Sequence, residues 1–399
     1  MTTPSAPPID HPSRIARWTS QLAGVALILF LLAGLATTVY KAARGTLDLF
    51  PDGYSWPAFM QGDTTRLLAH SLSNAPLPAE SAKLERGISW VVAGDLGPRV
   101  RQGCPGWLFL TDELMRYPHA EDNALSRARE VLRIKNELAA RHIALVVAVV
   151  PDKSRIEEAH LCGLHRPAAS ASRLDDWVAR LRAEGVDAVN LAPVLAAADK
   201  SVGGSTSSTG DTSSTGSTSS TGNISDTSGN RAGVWLRTDT HWNEAGAERA
   251  AGELSRAIRR TGLDLVPHTD WIVNGADETR PGDLIHLAGL DWLPTRLQPP
   301  PDVTRVSVFT QAPQAQGAKG ANSGDDLFGD DNLPNTALIG TSFSRNSNFV
   351  PYLERDLHTR IPDFAKDGGD FAGAANAYFA GAAFKETPPK LLIWEIPER

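Results

Sequence analysis

From Thr19 to Tyr40 the chain reads TSQLAGVALILFLLAGLATTVY, 22 residues without a charge, bounded by Arg17 and Lys41. At about 1.5 Å of rise per residue a helix of this length crosses the roughly 30 Å hydrocarbon layer of a bilayer, where every backbone polar group must be paired internally. The segment is therefore read as one membrane-spanning helix. The competing reading is a cleaved signal peptide, which has a shorter apolar stretch ending at small residues. This one is longer and runs into Lys41 and Arg44, which favours an uncleaved anchor. Arg14 and Arg17 on one side balance Lys41 and Arg44 on the other, so basic residues alone leave the orientation even.

The anchor sets the expected organisation: residues 1–18 a cytoplasmic tail, 19–40 the transmembrane anchor, 41–90 a membrane-proximal segment, and 91–399 a folded domain. With 41% hydrophobic and 21% charged residues the chain can bury a core. The net charge, 39 − 46 = −7, and the absence of any long Lys/Arg run argue against a nucleic-acid partner. Two cysteines, Cys104 and Cys162, exclude a four-thiolate zinc site and leave room for one disulfide. Both follow the anchor, so they place the folded domain on the oxidising side of the membrane, the bond being favoured over two buried thiols.

Ile143 to Val150 (IALVVAVV) is apolar on consecutive residues, as in a parallel strand covered on both faces. An amphipathic helix carrying Leu125, Ala128, Val131, Leu132, Ile134 and Leu138 precedes it and ends at Arg141. A helix from Arg173 to Ala183, stopped by Gly185, and a short strand around Ala188 to Leu191 follow it. Further strands are expected at Ala337 to Ile339 and Leu391 to Ile396. Alternating strand and helix predict an α/β fold with a mostly parallel sheet flanked by helices. Between Gly203 and Asn230 lie Ser, Thr and Gly with three tandem hexads, too polar to repay ordering; residues 203–230 are read as a disordered insertion in a loop of the domain. Gln311 to Asp326 is read as loop.

Two clusters can carry chemistry. In Thr238-Asp239-Thr240-His241-Trp242-Asn243, Asn243 can cap a helix running to about Arg259, with His241 at its N-terminal end. There the helix dipole favours the neutral imidazole that a general base requires, and Asp239 can orient the ring. An Asp-x-His pair can equally be a satisfied surface pair, or less readily a metal-ligand pair. The second cluster is a strand running into Gly340-Thr341-Ser342, followed by Phe343, Val350, Leu353 and Leu357 near helical spacing. A Ser on a strand-to-helix turn is exposed beside helix-start amides able to bind an oxyanion, although an isolated Ser there can also be a plain N-cap. Arg345, Asn346 and Asn348 are candidate oxyanion donors, and Ser344 is the nearest substitute nucleophile.

Taken together the residues resemble the alginate O-acetyltransferase AlgJ/AlgX family, whose catalytic domain is similar to SGNH hydrolases. The resemblance runs from about Val92 to Arg399. It rests on Gly-Cys-Pro-Gly-Trp-Leu-Phe-Leu at 103–110, Val-Pro-Asp-Lys-Ser-Arg at 150–155 and Thr-Asp-Thr-His-Trp-Asn at 238–243. Pro-Gly-Asp-Leu at 281–284, Asp-Leu-Phe-Gly-Asp at 326–330, Gly-Thr-Ser-Phe-Ser at 340–344 and the terminal Ile-Trp-Glu-Ile-Pro-Glu-Arg complete the set. The anchor and the expected lack of a C-terminal carbohydrate-binding domain place the chain nearer AlgJ. The insertion is not part of the family pattern.

The resemblance implies an SGNH-hydrolase-like fold with Ser342, His241 and Asp239 as a catalytic triad, in the reverse block order to ordinary SGNH hydrolases. It also implies an inner-membrane, single-pass protein with its catalytic domain in the periplasm, passing acetyl groups through an acetyl-serine intermediate. The acetyl would come from a membrane-bound O-acyltransferase partner and go to an exopolysaccharide hydroxyl or a downstream transferase. No metal or nucleotide cofactor is expected, since the sequence has neither a phosphate loop nor His-Glu-x-x-His. A periplasmic acetylesterase and a non-catalytic subunit of a polysaccharide secretion complex are the alternatives.

Overall fold

A computed structural model describes residues 14–49, 55–73, 75–203, 233–312 and 333–399. Most of the expected cytoplasmic tail, nearly all of the Ser/Thr/Gly insertion and most of the Gln311–Asp326 stretch lie outside the described residues. The chain divides into two compact units, Met1–Asp95 and Leu96–Arg399.

In the first unit a helix spans Arg14–Ala43, and its Trp18–Ala43 portion is long and apolar enough to cross a membrane. Among the described residues its leucines are largely exposed; Leu29 is 61% exposed. Such a surface suits a lipid environment rather than a soluble core. Shorter helices follow at Trp56–Met60, Asp63–Ser73 and Pro76–Ala93, the last ending at Gly94 in the left-handed conformation.

The described strands of the second unit are β1 (Val100–Gln102), β2 (Leu108–Leu110), β3 (Ala144–Val150), β4 (Asp187–Asn190), β5 (Trp271–Arg280), β6 (Asp302–Gln311), β7 (Thr336–Ile339) and β8 (Leu391–Pro397). The central sheet has the order β4-β3-β8-β7, and every pairing in it is parallel. The continuous apolar runs follow from this, because successive side chains of a strand point to opposite faces and here both faces are covered. Val146, Ala148 and Val150 of β3, with Leu391 and Ile393 of β8, enter a core shared with the helices Glu244–Arg259 and Phe349–Leu357. Leu145, Val147 and Val149, with Leu392 and Trp394, enter the opposite core, shared with the helices Ala120–Ala139 and Arg173–Ala183.

Three features depart from the sequence reading. The apolar positions from Phe343 to Leu357 do not form one helix. A four-residue turn, Ser342–Arg345, is separated from the Phe349–Leu357 helix by Ser347 and Asn348 at φ 53° and 56°. Short polar residues tolerate that left-handed backbone, and it re-aims the chain. Second, β5 and β6, which the sequence reading did not anticipate, form a ten-residue antiparallel ribbon. Third, Ser342 is not the N-cap of its turn. Thr341 is, its hydroxyl accepting from the Phe343 amide at 3.4 Å. Cys104 and Cys162 are joined by a disulfide across 58 residues, tying the β1–β2 connection to the segment after β3.

Parallel strands place all their carboxyl ends on one edge, where α/β proteins bind ligands. Here that edge gathers the Pro-Asp-Lys segment after β3, the Gly-Thr-Ser turn after β7 and the Pro-Glu-Arg end of β8.

Candidate active site

Asp239 and His241 sit on irregular backbone between residues 233 and 243, where an isolated bridge pairs Trp235 with Trp242 and most of the other amides and carbonyls need partners from outside the segment. Ionisable side chains from elsewhere, buried except for Asp283, supply them. The carboxylate of Glu157 accepts from the amides of Val234 (3.0 Å) and Trp235 (3.1 Å). A Cβ at Gly233 would lie 2.3 Å from that carboxylate, so the close approach requires glycine. Asp302 accepts from the amides of Arg237 and Thr238, both at 2.9 Å, and from the Thr238 hydroxyl at 2.7 Å. Lys153, only 1% exposed, donates to the carbonyls of Leu108 (2.6 Å), Arg237 (2.9 Å) and Asp239 (2.9 Å). Burial pushes its ammonium down to about 8, against the nearby carboxylates led by Asp302, which hold it up. Asp283 accepts from the Thr240 amide at 2.7 Å and from its hydroxyl.

The Ser342 side is built differently. β7 delivers the chain straight to Gly340, and one buried carboxylate, Glu395 of β8, holds the turn. It accepts from the Thr341 amide at 2.6 Å, from the Thr341 hydroxyl at 2.9 Å and from the Ser344 hydroxyl at 3.1 Å. Burial raises the Glu395 carboxyl, and the bonds from Thr341 and Ser344 oppose that rise. A Cβ on Gly340 would stand 2.6 Å from Glu395 Oε2, so the turn can seat on this carboxylate only with glycine there.

These two constructions bring Asp239, His241 and Ser342 into one line. His241 Nδ1 lies 2.6 Å from Asp239 Oδ1, and His241 Nε2 lies 2.8 Å from Ser342 Oγ across 101 residues of sequence. With Nδ1 donating to the carboxylate, Nε2 is left to accept the Ser342 hydroxyl proton; the tautomer follows from these partners. Asp239 Oδ1 also accepts the His241 amide at 3.0 Å, while Oδ2 accepts the Asp283 amide at 3.2 Å and faces Arg280 Nη2 at 3.5 Å. Burial alone would raise the Asp239 carboxyl. The hydrogen bond and charge of His241, with Arg280 behind, reverse this and hold it well below the usual carboxylate range. Phe343 packs edge-on to the imidazole, centroids 5.0 Å apart, and to Trp242 at 5.1 Å. Ser342 opens onto a cleft of about 430 Å³ whose lining includes Tyr117, Trp177, Phe371 and the guanidinium-bearing Arg127 and Arg173.

The remaining sequence candidates are otherwise occupied. Ser344 is buried on Glu395. Asn348 donates to Glu244 and to the Ser307 carbonyl, and Asn346 donates to the Ser342 carbonyl at 2.8 Å while accepting from Arg280. Arg345 faces Asp367 at 3.9 Å on the surface. Asp239, His241 and Asp283 have ligand atoms within 4.8 Å of one another, but at 2.6 Å the Asp239–His241 contact leaves no space for an ion between its atoms, and the Asp283 carboxylate is taken by Thr240. Sequence reasoning gave no role to Lys153, Asp283 or Glu395, although each stands in a block that carried the family resemblance. For Glu157, Arg280 and Asp302 no local sequence signal existed.

Comparison with known proteins agrees with this architecture. The profile of the family described as "SGNH hydrolase-like domain, acetyltransferase AlgX" matches residues 100–203 and 221–398. The probable alginate O-acetylase AlgJ of Pseudomonas aeruginosa is 33% identical over 380 residues, covering 90% of this chain and 88% of that protein. Among solved structures, the O-acetyltransferase domain of Pseudomonas putida AlgJ is similar with a TM-score of 0.57 at 25% identity, covering 75% of this chain and 91% of that domain. Pseudomonas aeruginosa AlgX has a TM-score of 0.51 at 22% identity, covering 75% of this chain and 62% of AlgX, a likeness of fold. The chain therefore belongs to the family of SGNH hydrolase-like AlgX acetyltransferase domains, and within it is more similar to AlgJ than to AlgX.

Proposed function

We propose that the protein is a membrane-anchored O-acetyltransferase that acetylates an exopolysaccharide, of which alginate is one candidate, with Ser342, His241 and Asp239 as its catalytic triad. The observation that carries this reading is the pair of contacts at His241, 2.8 Å to Ser342 Oγ and 2.6 Å to Asp239 Oδ1, with Ser342 lining the cleft. Ser342 Oγ attacks the acetyl carbonyl carbon of an activated donor while its proton passes to His241 Nε2. The imidazolium that forms is held by Asp239. Collapse of the tetrahedral intermediate breaks the bond to the carrier, which leaves with the proton from His241, and acetyl-Ser342 remains. A polysaccharide hydroxyl then repeats the sequence in reverse: its oxygen bonds to the acetyl carbon, its proton moves to His241, and Ser342 departs as the restored hydroxyl.

In this reading the Arg14–Ala43 helix holds the enzyme in the inner membrane with the cleft in the periplasm, and a membrane-bound O-acyltransferase hands over the acetyl group. The chain's similarity to probable alginate O-acetylases of Pseudomonas aeruginosa and Azotobacter vinelandii supports acetyl transfer to a polysaccharide.

Purified full-length protein should become acetylated on Ser342 when given an activated acetyl ester and should pass the label to an oligosaccharide acceptor. Ser342→Ala, His241→Ala and Asp239→Ala should each cost about 10³-fold or more in transfer, and combining them should cost little more because the three act as a unit. Release of free acetate without transfer to any sugar would favour an esterase. Undiminished polymer acetylation in cells carrying Ser342→Ala would sink the catalytic reading altogether.

A further inference from the structure

The ionisable supports described above each act on one side of the site or the other. Lys153, Asp302, Asp283 and Glu157 hold the Asp239/His241 loop, and Glu395 holds the Ser342 turn. Phe343 packs across the site against His241 and Trp242, but a polar link that reaches the Asp239 carboxylate would set the approach more finely, and acyl transfer is sensitive to misplacement on the scale of about 1 Å.

Arg280, the last residue of β5, reaches both. Its Nη2 donates to Asn346 Oδ1 at 2.8 Å and stands 3.5 Å from Asp239 Oδ2. Asn346 in turn donates through Nδ2 to the Ser342 carbonyl at 2.8 Å, and its backbone amide donates to the same carbonyl at 3.1 Å. The contacts close a ring: Asp239 to His241, His241 to Ser342, Ser342 through its own backbone to Asn346, Asn346 to Arg280, and Arg280 back to Asp239. Three separate stretches of the chain contribute to this ring: the Asp239/His241 loop, the Ser342–Asn346 turn and Arg280 at the end of β5. The Arg280 side chain is 36% exposed, so its removal leaves no buried cavity.

We propose that Arg280 is a positioning residue that, through Asn346, locks the Ser342 turn to the Asp239 carboxylate and so sets the Ser342–His241 approach. The ribbon of β5 and β6 thereby acquires a role: its base delivers the guanidinium. This inference rests on Ser342 being the nucleophile, and the test separates the two.

The experiment measures the pre-steady-state burst of p-nitrophenol from p-nitrophenyl acetate with the full-length protein in detergent, for Arg280→Gln, Arg280→Lys, Asn346→Ala, the double variant Arg280→Gln/Asn346→Ala, and Ser342→Ala. Arg280→Gln is expected to slow the burst about ten- to a hundredfold with KM within about twofold, because the loss falls on orientation rather than on binding. Arg280→Lys should recover part of the rate, since it keeps a cation beside Asp239. The double variant should be no slower than the slower single, the signature of two groups in one chain of contacts.

An unchanged burst rate in Arg280→Gln, with Ser342→Ala silent, overturns the role of Arg280 and leaves the nucleophile in place. A raised KM at unchanged rate also overturns it, because Arg280 would then bind substrate. Effects that multiply in the double variant would show that Arg280 and Asn346 act separately. If Arg280→Gln does not fold, Asn346→Ala and Arg280→Lys carry the same comparison. A full burst from Ser342→Ala would instead overturn the assignment of the nucleophile.

Discussion

The loop at 233–243 and the turn at 340–344 place their side chains 2.8 Å apart by opposite means. The turn inherits its position from β7, whose ladder with β8 fixes the backbone up to Ile339, and it needs one carboxylate, Glu395, to finish the job. The loop has no comparable ladder, only the isolated Trp235–Trp242 bridge. Its conformation is set by contacts with Lys153 and Glu157, Asp283, and Asp302, drawn from three separate parts of the chain, together with backbone bonds such as that from the Leu108 amide to the Arg237 carbonyl at 2.8 Å. Regular structure positions a residue through many weak repeated bonds. Irregular backbone must be positioned by a few strong, charge-assisted ones, each of which is costly to lose.

That contrast can be broken experimentally, beginning where the loss is greatest. The disulfide restrains the β1–β2 connection that presents the Leu108 carbonyl to Lys153, so it supports the loop side. Replacing both cysteines by serine should lower stability by about 4 kcal/mol for a loop of this length in the chain-entropy model, read as a lower urea midpoint. A shift near zero would mean that the connection is held without it, and peptide mapping that finds both thiols free would remove the premise.

Lys153→Met comes next. It removes three hydrogen bonds, to the carbonyls of Leu108, Arg237 and Asp239, of which Arg237 keeps the Leu108 amide at 2.8 Å, and at about 1 kcal/mol or more for each bond the expected cost is on the order of 3 kcal/mol. Acylation of Ser342 should fall together with stability, since the Asp239 carbonyl loses its anchor. A variant of wild-type stability and rate would show that the loop does not depend on its buried cation.

Glu395→Gln tests the turn. The amide retains an oxygen for Thr341 but confronts Ser344 with a donor, and β7 still aims the chain. A loss of about 1 kcal/mol is expected, smaller than for Lys153→Met. The reverse ranking in urea titrations would invert the comparison.

The smallest effect is a pH slope. Burial pushes Lys153 down to about 8, so its ammonium is charged in both folded and unfolded chains below that pH. Above about 8, and up to the ordinary lysine value of roughly 10.4, the folded protein has shed a proton that the unfolded chain retains. The unfolded state then binds more protons, and this group's contribution to stability rises with pH across the window. The difference in urea midpoint between wild type and Lys153→Met should therefore widen from pH 8 to 10. A constant difference would argue that the three carbonyls hold the ammonium charged throughout.

Much of this was legible in the sequence because it is local. The run LVVAVV specifies a strand buried on both faces, and β3 has that burial. Asn243 followed by Ala247, Ala250, Leu254 and Ile258 specifies a capped amphipathic helix, and the Asn243 side chain accepts from the Gly246 amide at 3.0 Å. The break between Arg345 and Phe349 was hidden because the spacing of Phe343, Val350 and Leu353 continues through it. Only the packing of Asn348 against Glu244 and Ser307 reveals why the backbone turns there. The β5–β6 ribbon was hidden because much of it is exposed, so it lacks the alternation of a strand lying on a core.

By itself, then, the sequence determined the elements whose signals repeat every two or every three to four residues, the apolar helix near the N-terminus, and the types of side chain available for chemistry. Tertiary structure decided which of those side chains meet. A buried ion leaves no periodic trace: Lys153 reads like any lysine until β2 and the 233–243 loop close over it, and Arg280 reads like any surface arginine until Asp239 and Asn346 arrive on either side. The partners of such groups lie tens of residues away, and their approach is fixed by how the sheet, the ribbon and the helices pack rather than by any preference of the residues nearby.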